Sequence, residues 1–213
     1  MGIQERKERE RERRRQQIMF SAERVFSAKG FNKTTMEDIA KDAELSPGTL
    51  YLYFKNKDEL YASLSLRVLE YLRIRMENID VDKDLIPAER LEAVKRGLYD
   101  VYEFDPFILI KMFHLHSSEK LKKISPAVLS EIRKLSGNAL NAMAQIFQKC
   151  MNEGHIINRH PVDLSGIVWA LFSGILLWKE SKKLIDNDKD SFEETFDTAF
   201  EIFKRGIQKE ETS

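Results

Sequence analysis

Three helix-start signals follow one another closely within residues 34–60, TTMEDIAKDAELSPGTLYLYFKNKDEL. Thr35, Ser46 and Asn56 are residue types that cap helix N-termini. Asp38 stands three residues after Thr35, in the second position of a capping box. This spacing leaves the first two helices only about two turns each. Two short helices joined by a tight turn form a helix-turn-helix, so the sequence predicts that motif here.

The second helix of the predicted motif has an exposed side that suits DNA. In a helix-turn-helix this helix lies in the major groove, and hydroxyl groups, lysine and helix N-termini are common donors to phosphate oxygens. Pro47 and Gly48 at its tip carry no bulky polar side chain, so the backbone can approach DNA closely. The alternative is a plain helical hairpin with tyrosines on its surface. The candidate DNA-binding residues are Thr35, Glu37, Ser46, Pro47, Gly48, Thr49, Tyr51, Tyr53 and Lys57.

The patterns TTMEDIA and LSPGTLYLYFKNKDEL closely resemble the DNA-binding domain of the tetracycline-repressor (TetR) family of bacterial transcriptional regulators. The resemblance covers roughly residues 15–62, and beyond them only the length and the helix layout are similar. It implies a homodimer that binds operator DNA and, in most members, represses transcription until a small effector binds. One departure is Glu44, which stands where the turn usually has glycine. A left-handed backbone at Glu44 would cost about 1 kcal/mol.

The rest of the chain shows helical periodicity and no sustained alternation of apolar and polar residues, so the predicted fold class is all-α. We expect an N-terminal three-helix DNA-binding domain followed by a C-terminal helical bundle, to which the resemblance assigns ligand binding and dimerisation. The expected domains are a charged arm over residues 1–14, the helix-turn-helix domain over 15–62 and the C-terminal domain over 63–213. Helices are predicted at residues 18–29, 57–78, 88–104, 126–153, 162–184 and 192–208, with a short apolar segment at 107–116.

The N-terminal arm is a run of alternating arginine and glutamate that ends in Arg13, Arg14 and Arg15. Such runs form a solvated helix or stay disordered. The functional alternative is an arm that lies on phosphate or enters the minor groove, as arms of helix-turn-helix proteins can. The glutamates between the arginines would weaken that binding.

Charge is distributed unevenly although the chain has no formal net charge. Residues 1–57 hold thirteen basic and nine acidic residues, and the remainder is negative by the same margin. A positive end on a negative body orients the molecule towards phosphate. Cys150 is the only cysteine, so no intrachain disulfide is expected, which suits a reducing cytosol. The most apolar run, residues 167–178, is shorter than the roughly twenty residues of a membrane span, so a soluble cytoplasmic protein is expected.

The last two predicted helices indicate a dimer. Gly166, Ala170 and Gly174 follow one another at a spacing of four, which lets another helix approach closely, and apolar residues surround them. Two such helices from each chain can form a four-helix interface with two-fold symmetry. The alternative is that they close a monomeric core. The candidate interface residues are Gly166, Ala170, Gly174, Trp178, Phe196, Phe200 and Phe203.

The middle helices are rich in large, deformable apolar side chains, which form a plain core or line a cavity. The resemblance implies a ligand cavity beside the helix that follows the DNA-binding domain. Few charges face inward in the predicted helices, so the expected effector is apolar or amphipathic, with His114, Tyr99 or Tyr102 as polar anchors. The candidate pocket residues are Leu69, Tyr99, Tyr102, Phe107, Phe113, His114, Met143, Phe147, Trp169 and Phe172.

The sequence features bear on three classes of function. The first is a dimeric, ligand-responsive transcriptional regulator, with operator DNA, a second copy of the chain and a small effector as partners. The second is an enzyme, but the sequence has no phosphate loop, paired cysteine motif or nucleophile elbow. His114 and His116 lie two residues apart on different faces of a helix, so they are poor joint metal ligands. No catalytic residue, metal or cofactor is expected. The third is a ligand-independent DNA-binding regulator or architectural protein.

Overall fold

The computed structural model describes residues 2–116, 124–185 and 192–209, and the side chains of residues 3, 114–116 and 183–185 lie outside this description. Within these ranges the chain is helical and forms no strand, which confirms the all-α fold class. The helices, numbered in chain order, are α1 (Ile3–Lys29), α2 (Met36–Asp42), α3 (Pro47–Tyr51), α4 (Lys57–Val81), α5 (Pro87–Phe104), α6 (Pro106–His116), α7 (Pro126–Asn152), α8 (Pro161–Ile185) and α9 (Phe192–Ile207).

The helix starts of the DNA-binding module lie where the capping residues predict them. α2, α3 and α4 begin directly after Thr35, Ser46 and Asn56. Each capping side chain accepts a hydrogen bond from the backbone N–H three residues later, at 2.8–3.1 Å. These bonds satisfy N–H groups that a helix N-terminus leaves unpaired. The spacing of the helix-turn-helix therefore follows from local side-chain chemistry.

The turn between α2 and α3 contains a residue with a left-handed backbone. Glu44 has φ of 55°, as its place in the turn predicts, and it is the only non-glycine residue with positive φ in the described part of the chain. The Leu45 N–H donates to the Ala40 carbonyl at 2.8 Å, which closes the turn. The turn therefore has the left-handed backbone that glycine usually provides, although Glu44 carries a Cβ.

Replacing Glu44 with glycine is expected to raise the free energy of unfolding by about 0.5–1 kcal/mol, because glycine adopts this backbone without a Cβ clash. Lys41→Gly is the matched control, since Lys41 is exposed in the last turn of α2, where the backbone is still right-handed. That change should instead lower the free energy of unfolding by about 1 kcal/mol. Urea denaturation measures the change in the free energy of unfolding for both variants. A destabilised Glu44→Gly variant would contradict the interpretation of this turn.

α4 connects the DNA-binding module to the rest of the molecule. It contacts α1 near its start and α5, α6 and α7 along its length. Its apolar stripe is buried as predicted, from Leu60 through Val68 to Met76. The predicted division between residues 62 and 63 falls inside this continuous helix. The two domains thus share one rigid element about 37 Å long at 1.5 Å per residue.

The body of the protein is built around α7, which contacts α4, α5 and α8, while α9 packs against α5 and α8. An isolated antiparallel bridge pairs Ile156, between α7 and α8, with Gln208 after α9. The Ile157 N–H donates to the Ile207 carbonyl at 2.7 Å in the same place. This backbone pairing fixes the end of α9 to the start of α8.

α8 is more apolar than the twelve-residue run found in the sequence. Pro161–Lys182 is long and apolar enough to cross a membrane, by length and composition alone, and little of it is buried within the protomer. A single helix of this kind is weak evidence for a membrane span. A second protein surface against α8 would account for the same exposed apolar residues.

Candidate nucleic-acid interface

The N-terminus of α2 is held by a reciprocal capping box. The Asp38 N–H donates to Thr35 Oγ1 at 3.1 Å, and the Thr35 N–H donates to Asp38 Oδ2 at 3.0 Å. Hydrogen bonds from the Lys29 ammonium and from Thr35 hold the pKa of Asp38 at about 2. The Thr35 hydroxyl accepts the capping bond and also hydrogen-bonds to the Asp38 carboxylate, so it belongs to the cap itself. Glu37 is exposed beside it in the first turn of α2.

α3 presents small and hydroxylated residues to solvent. Ser46 Oγ accepts from the Thr49 N–H at 3.1 Å, and the two hydroxyl oxygens lie 2.8 Å apart. Tyr51 is 49% exposed, whereas Tyr53 is half-buried against the core. A Cβ added to Gly48 would meet only the Ser46 hydroxyl, at 3.8 Å. The protomer itself thus leaves room for a side chain at Gly48, and its absence suits a close approach by DNA.

Lys57 has a structural role that the sequence did not reveal. Its Nζ donates to the carbonyl oxygens of Phe31 and Thr34 at 2.6 and 2.7 Å, and it lies 4.5 Å from the centre of the Phe31 ring. Both carbonyls belong to the connection between α1 and α2. Lys57 therefore fixes that connection, and with it the N-terminus of α2, against the start of α4. If DNA contacts Lys57, it does so while the ammonium group is held by the Phe31 and Thr34 carbonyls.

Seven of the nine candidate DNA-binding residues thus lie at the N-termini of α2 and α3 or within α3. Tyr53 is half-buried in the turn after α3, and Lys57 is held at the start of α4. Helix N-termini carry partial positive charge and free N–H groups, which favour phosphate. α3 is short, exposed and joined to α2 by a tight turn, as the second helix of a helix-turn-helix must be to enter the major groove. The fold and this surface define a DNA-binding protein of the helix-turn-helix class.

Residues 18–64 match the family of bacterial regulatory proteins, tetR family. The chain belongs to this TetR family of transcriptional regulators. It is 30% identical over 109 residues to an uncharacterised HTH-type transcriptional regulator of Haemophilus influenzae, a match that spans 51% of this chain and 58% of that protein. It is 26% identical over 188 residues to the probable acrEF/envCD operon repressor of Escherichia coli K12, spanning 81% and 84%.

The fold of the whole chain is also found among solved structures. The TetR-family transcriptional regulator PfmR from Thermus thermophilus has a TM-score of 0.67 and 21% sequence identity, with 90% of this chain and 99% of that chain covered. Regulators of this family bind operator DNA, act as dimers and are not enzymes. In the described part of the chain, no three His, Cys, Asp or Glu side chains lie together as metal ligands would.

The small residues predicted for the dimer interface lie on one exposed line of α8. Val162, Gly166, Ala170, Gly174 and Trp178 are four residues apart and all exposed, Trp178 by 61%. Rows at this spacing form the ridges and grooves by which helices pack. The surface of α8 that carries this row is called the α8 stripe below.

The predicted interface residues on α9 lie elsewhere. Phe196 and Phe200 are fully buried inside the protomer, and Phe203 is half-buried. The apolar face of α9 is turned inward, where Phe172 of α8 lies 5.5 Å from the Phe196 ring. The exposed apolar residue of α9 is instead Ile202, at 68%. Periodicity indicated the apolar face of α9 but could not show that the protomer itself covers it.

Most candidate pocket residues are packed together in the core. Leu69, Met143, Phe147, Phe172 and Phe113 are buried, and Tyr102, Phe107 and Trp169 are partly buried against the same cluster. The side chain of His114 lies outside the described residues. The structure therefore brings the candidates into one aromatic cluster, where Phe113 lies 5.4 Å from Trp169 and Phe172 lies 5.7 Å from Phe192.

Tyr99 is the candidate that faces a cleft. This cleft holds about 660 Å³ and lies between the last turns of α4, the outer side of α5 and the first turns of α9. The Tyr99 hydroxyl is buried without a hydrogen-bond partner, and its ring lies 5.7 Å from the Phe196 ring. Burial and the nearby carboxylates of Asp197 and Glu193 raise the pKa of Tyr99, so the hydroxyl keeps its proton. It can donate to, or accept from, a polar group that enters the cleft.

One contact between the DNA-binding module and the body was not apparent from the sequence. The Tyr61 hydroxyl, in the second turn of α4, donates to the Phe107 carbonyl at the start of α6, at 3.2 Å. Burial raises the pKa of this hydroxyl, with the Asp105 carboxylate adding to the shift. The Tyr61 ring also packs on Phe26 and Phe31 at 5.3 and 5.1 Å. Tyr61 thereby joins α1 and the α1–α2 connection to α6.

Proposed function

We propose that the chain is a dimeric transcriptional repressor that leaves its operator when a small amphipathic effector binds the body. The observation that carries the proposal is that α4 forms part of both modules. Its start is fixed to the α1–α2 connection by the Lys57 hydrogen bonds and by the packing of Tyr61 on Phe31, and its end lines the cleft beside Tyr99. A shift at one end of this helix therefore moves the other. The repressor acts in the cytoplasm, where its operator lies.

Dimerisation through the α8 stripe supports this mechanism. A single short α3 helix reads few base pairs, and two of them on a two-fold axis read two half-sites. An effector that favours a different separation of the two α3 helices then weakens operator binding by population shift. The exposed apolar residues Ile167, Trp178 and Ile202 are the ones that a second copy would cover.

The cleft beside Tyr99 suits an amphipathic effector better than a purely apolar one. Five carboxylates line it, those of Asp82, Asp100, Glu103, Glu193 and Asp197, against two guanidinium groups. Arg75 pairs with Asp100, and Asp197 pairs with Lys95, so three carboxylates and one guanidinium group of the lining remain outside these pairs and the cleft is net acidic. We infer that the polar end of the effector is cationic or a hydrogen-bond donor. Its apolar part would pack towards the aromatic cluster behind Tyr99.

The test begins with thermal-shift measurements on the full chain with three probes of equal chain length, an alkylammonium, an alkyl carboxylate and an alkyl alcohol. The alkylammonium is expected to stabilise the protein most, because the cleft is acidic. Its effect on operator binding is then followed by fluorescence anisotropy. Release of DNA at probe saturation supports the repressor mechanism, and unchanged DNA affinity with a bound probe contradicts it.

Tyr61→Phe tests how the two modules are coupled. The variant keeps the ring packing and loses the hydrogen bond to Phe107, so operator affinity without effector should stay within about threefold of wild type. One neutral hydrogen bond contributes about 1 kcal/mol, so effector-induced release should become about fivefold weaker.

Tyr71→Phe is the matched control for Tyr61→Phe. It removes a hydroxyl from the same helix, at a ring that stacks on Phe104 of α5 at 4.5 Å. Effector-induced release in this control should equal that of wild type. Equal release in Tyr61→Phe and wild type would show that the bond to α6 carries no coupling.

A ligand-independent regulator or architectural protein remains the alternative function. The burial of most candidate pocket residues against one another in the described part of the core favours it. In that case none of the three probes changes the thermal stability of the protein, and operator affinity depends on salt but not on any of them.

A further inference from the structure

The first half of α1 is a charged helix that continues beyond the DNA-binding module. Residues 4–13 are all exposed, and Ile18 is the first residue of α1 that is fully buried in the core. From residue 3 to residue 17 the helix rises about 21 Å at 1.5 Å per residue. Residues 3–14 are called the N-terminal extension below. Of the two structures that the sequence allows for the charged run, a solvated helix or a disordered segment, the run forms the helix.

The orientation of the extension follows from two contacts further along α1. The Gln17 side-chain amide donates to the Ala43 carbonyl at 2.9 Å, in the turn that leads into α3. Two turns further along α1, the Arg24 guanidinium donates to Asp42 Oδ2 at 2.6 Å. Gln17 and Arg24 are seven residues apart and share one side of the helix. This side of α1 therefore faces the helix-turn-helix.

Arginines continue the same side into the extension. At about 100° per residue, Arg6 and Arg13 fall in line with Gln17 and Arg24, and Arg9 lies next to them. Arg13 is paired with Glu10, with 2.7 Å between Nη2 and Oε1, and both side chains are more than half exposed. A pair this exposed contributes little and can exchange its partner for a phosphate.

Three of the four glutamates occupy a different side of the extension. Glu5, Glu8 and Glu12 each stand one residue before one of these arginines, so they form the same pattern rotated by about 100°. They fall in line with Met19, and Glu12 and Met19 line a second cleft, between α1, α4 and α7. Glu10 is the exception, because it falls on the basic side, where it pairs with Arg13. The basic side otherwise continues the face of the DNA-binding module, and the side with the other three glutamates is turned towards the body.

We propose that the N-terminal extension is a second DNA-binding surface, which lies on the phosphate backbone beside the half-site read by α3, with Arg6, Arg9 and Arg13 as the contacting residues. The proposal rests on the proposed function in one respect, since it requires that α3 binds DNA. It is supported by the charge of this side and by its continuity with the helix-turn-helix. At about 3.4 Å per base pair, the extension, about 18 Å long at 1.5 Å per residue, can follow the backbone for roughly five base pairs.

The decisive variant exchanges each glutamate with the arginine beside it. Glu5→Arg, Arg6→Glu, Glu8→Arg, Arg9→Glu, Glu12→Arg and Arg13→Glu together keep the composition, the net charge and the length of the helix. They move the basic side by about 100°, away from the helix-turn-helix. A sequence-independent attraction between a basic tail and DNA would be unaffected by the exchange. A second variant lacks residues 2–14, and circular dichroism establishes that the exchanged variant has the helix content of wild type.

The measurement compares two duplexes by fluorescence anisotropy. One is the shortest operator obtained by selection from random sequences, and the other is the same operator with six base pairs added at each end. Wild type should bind the longer duplex on the order of tenfold more tightly, and the slope of log K against log salt should be steeper by about 2.7 per half-site for three phosphate contacts. Neither variant should show the gain, although both should bind the short duplex as wild type does.

Three outcomes decide the matter. A gain in wild type that both variants lose supports the extension as a DNA-binding surface. An exchanged variant that keeps the full gain, or a wild type that gains nothing from the added base pairs, overturns it while leaving the proposed function intact. A selection with wild type that enriches no operator contradicts the proposed function itself.

Discussion

Replacing Ala170 with arginine is expected to convert the dimer into monomers. Ala170 is exposed at the centre of the α8 stripe, between Gly166 and Gly174, where small residues allow a partner helix to come close. An arginine there would place a long, charged side chain in an apolar interface. A buried charge without a partner costs about 3–5 kcal/mol, so the dimer should weaken on the order of several hundredfold.

Sedimentation equilibrium measures the effect of Ala170→Arg directly. Gln145→Arg is the control, because it adds the same side chain at an exposed position of α7. The control should remain a dimer and bind the operator as wild type does. The Ala170→Arg monomer should fold normally and yet bind the operator far more weakly, since it reads one half-site. A stable dimer in Ala170→Arg would show that the α8 stripe is not the interface.

Lys57→Met is expected to destabilise the DNA-binding module by about 2 kcal/mol. Methionine has a similar length but no donor, so the Phe31 and Thr34 carbonyls lose the charged hydrogen bonds that Lys57 makes. Hydrogen bonds to charged groups contribute about 1.5–3 kcal/mol. Because these carbonyls lie just before the N-terminus of α2, operator binding should weaken together with stability.

Lys55→Met separates this structural role from a simple loss of charge. Lys55 is exposed two residues earlier and loses the same charge when replaced. Hydrogen exchange of the α1–α2 connection should speed up in Lys57→Met alone. If both variants keep wild-type stability and weaken operator binding equally, Lys57 acts only as a phosphate contact, as its residue type alone suggests.

The parts of the fold that the sequence predicts are those set by local chemistry. Thr35, Ser46 and Asn56 cap helices because a side-chain oxygen bonds to an N–H three residues away, and this distance is visible in the sequence. The left-handed backbone of Glu44 is instead implied by the family resemblance, because the turn usually has glycine at this place. These features locate the DNA-binding surface without knowledge of the rest of the molecule.

The parts that the sequence does not predict depend on which elements meet in space. Lys57 has the residue type of a phosphate contact, but its acceptors are carbonyls more than twenty residues away. Phe196 and Phe200 mark an apolar face, yet only the packing of α8 and α9 shows that the protomer covers it. The cleft beside Tyr99 likewise requires three helices to be in place. Hydrophobic periodicity defines a face, and the tertiary fold decides what that face touches.

The central claim is that two copies of α3 read DNA on a two-fold axis. Selection of bound duplexes from a random-sequence pool, followed by sequencing, tests it most directly. Wild type should enrich a sequence with two inverted half-sites, spaced by about one turn of DNA or a multiple of it. Ala170→Arg should no longer enrich the paired half-sites. No enrichment, or one asymmetric site bound equally well by the Ala170→Arg monomer, would contradict the claim.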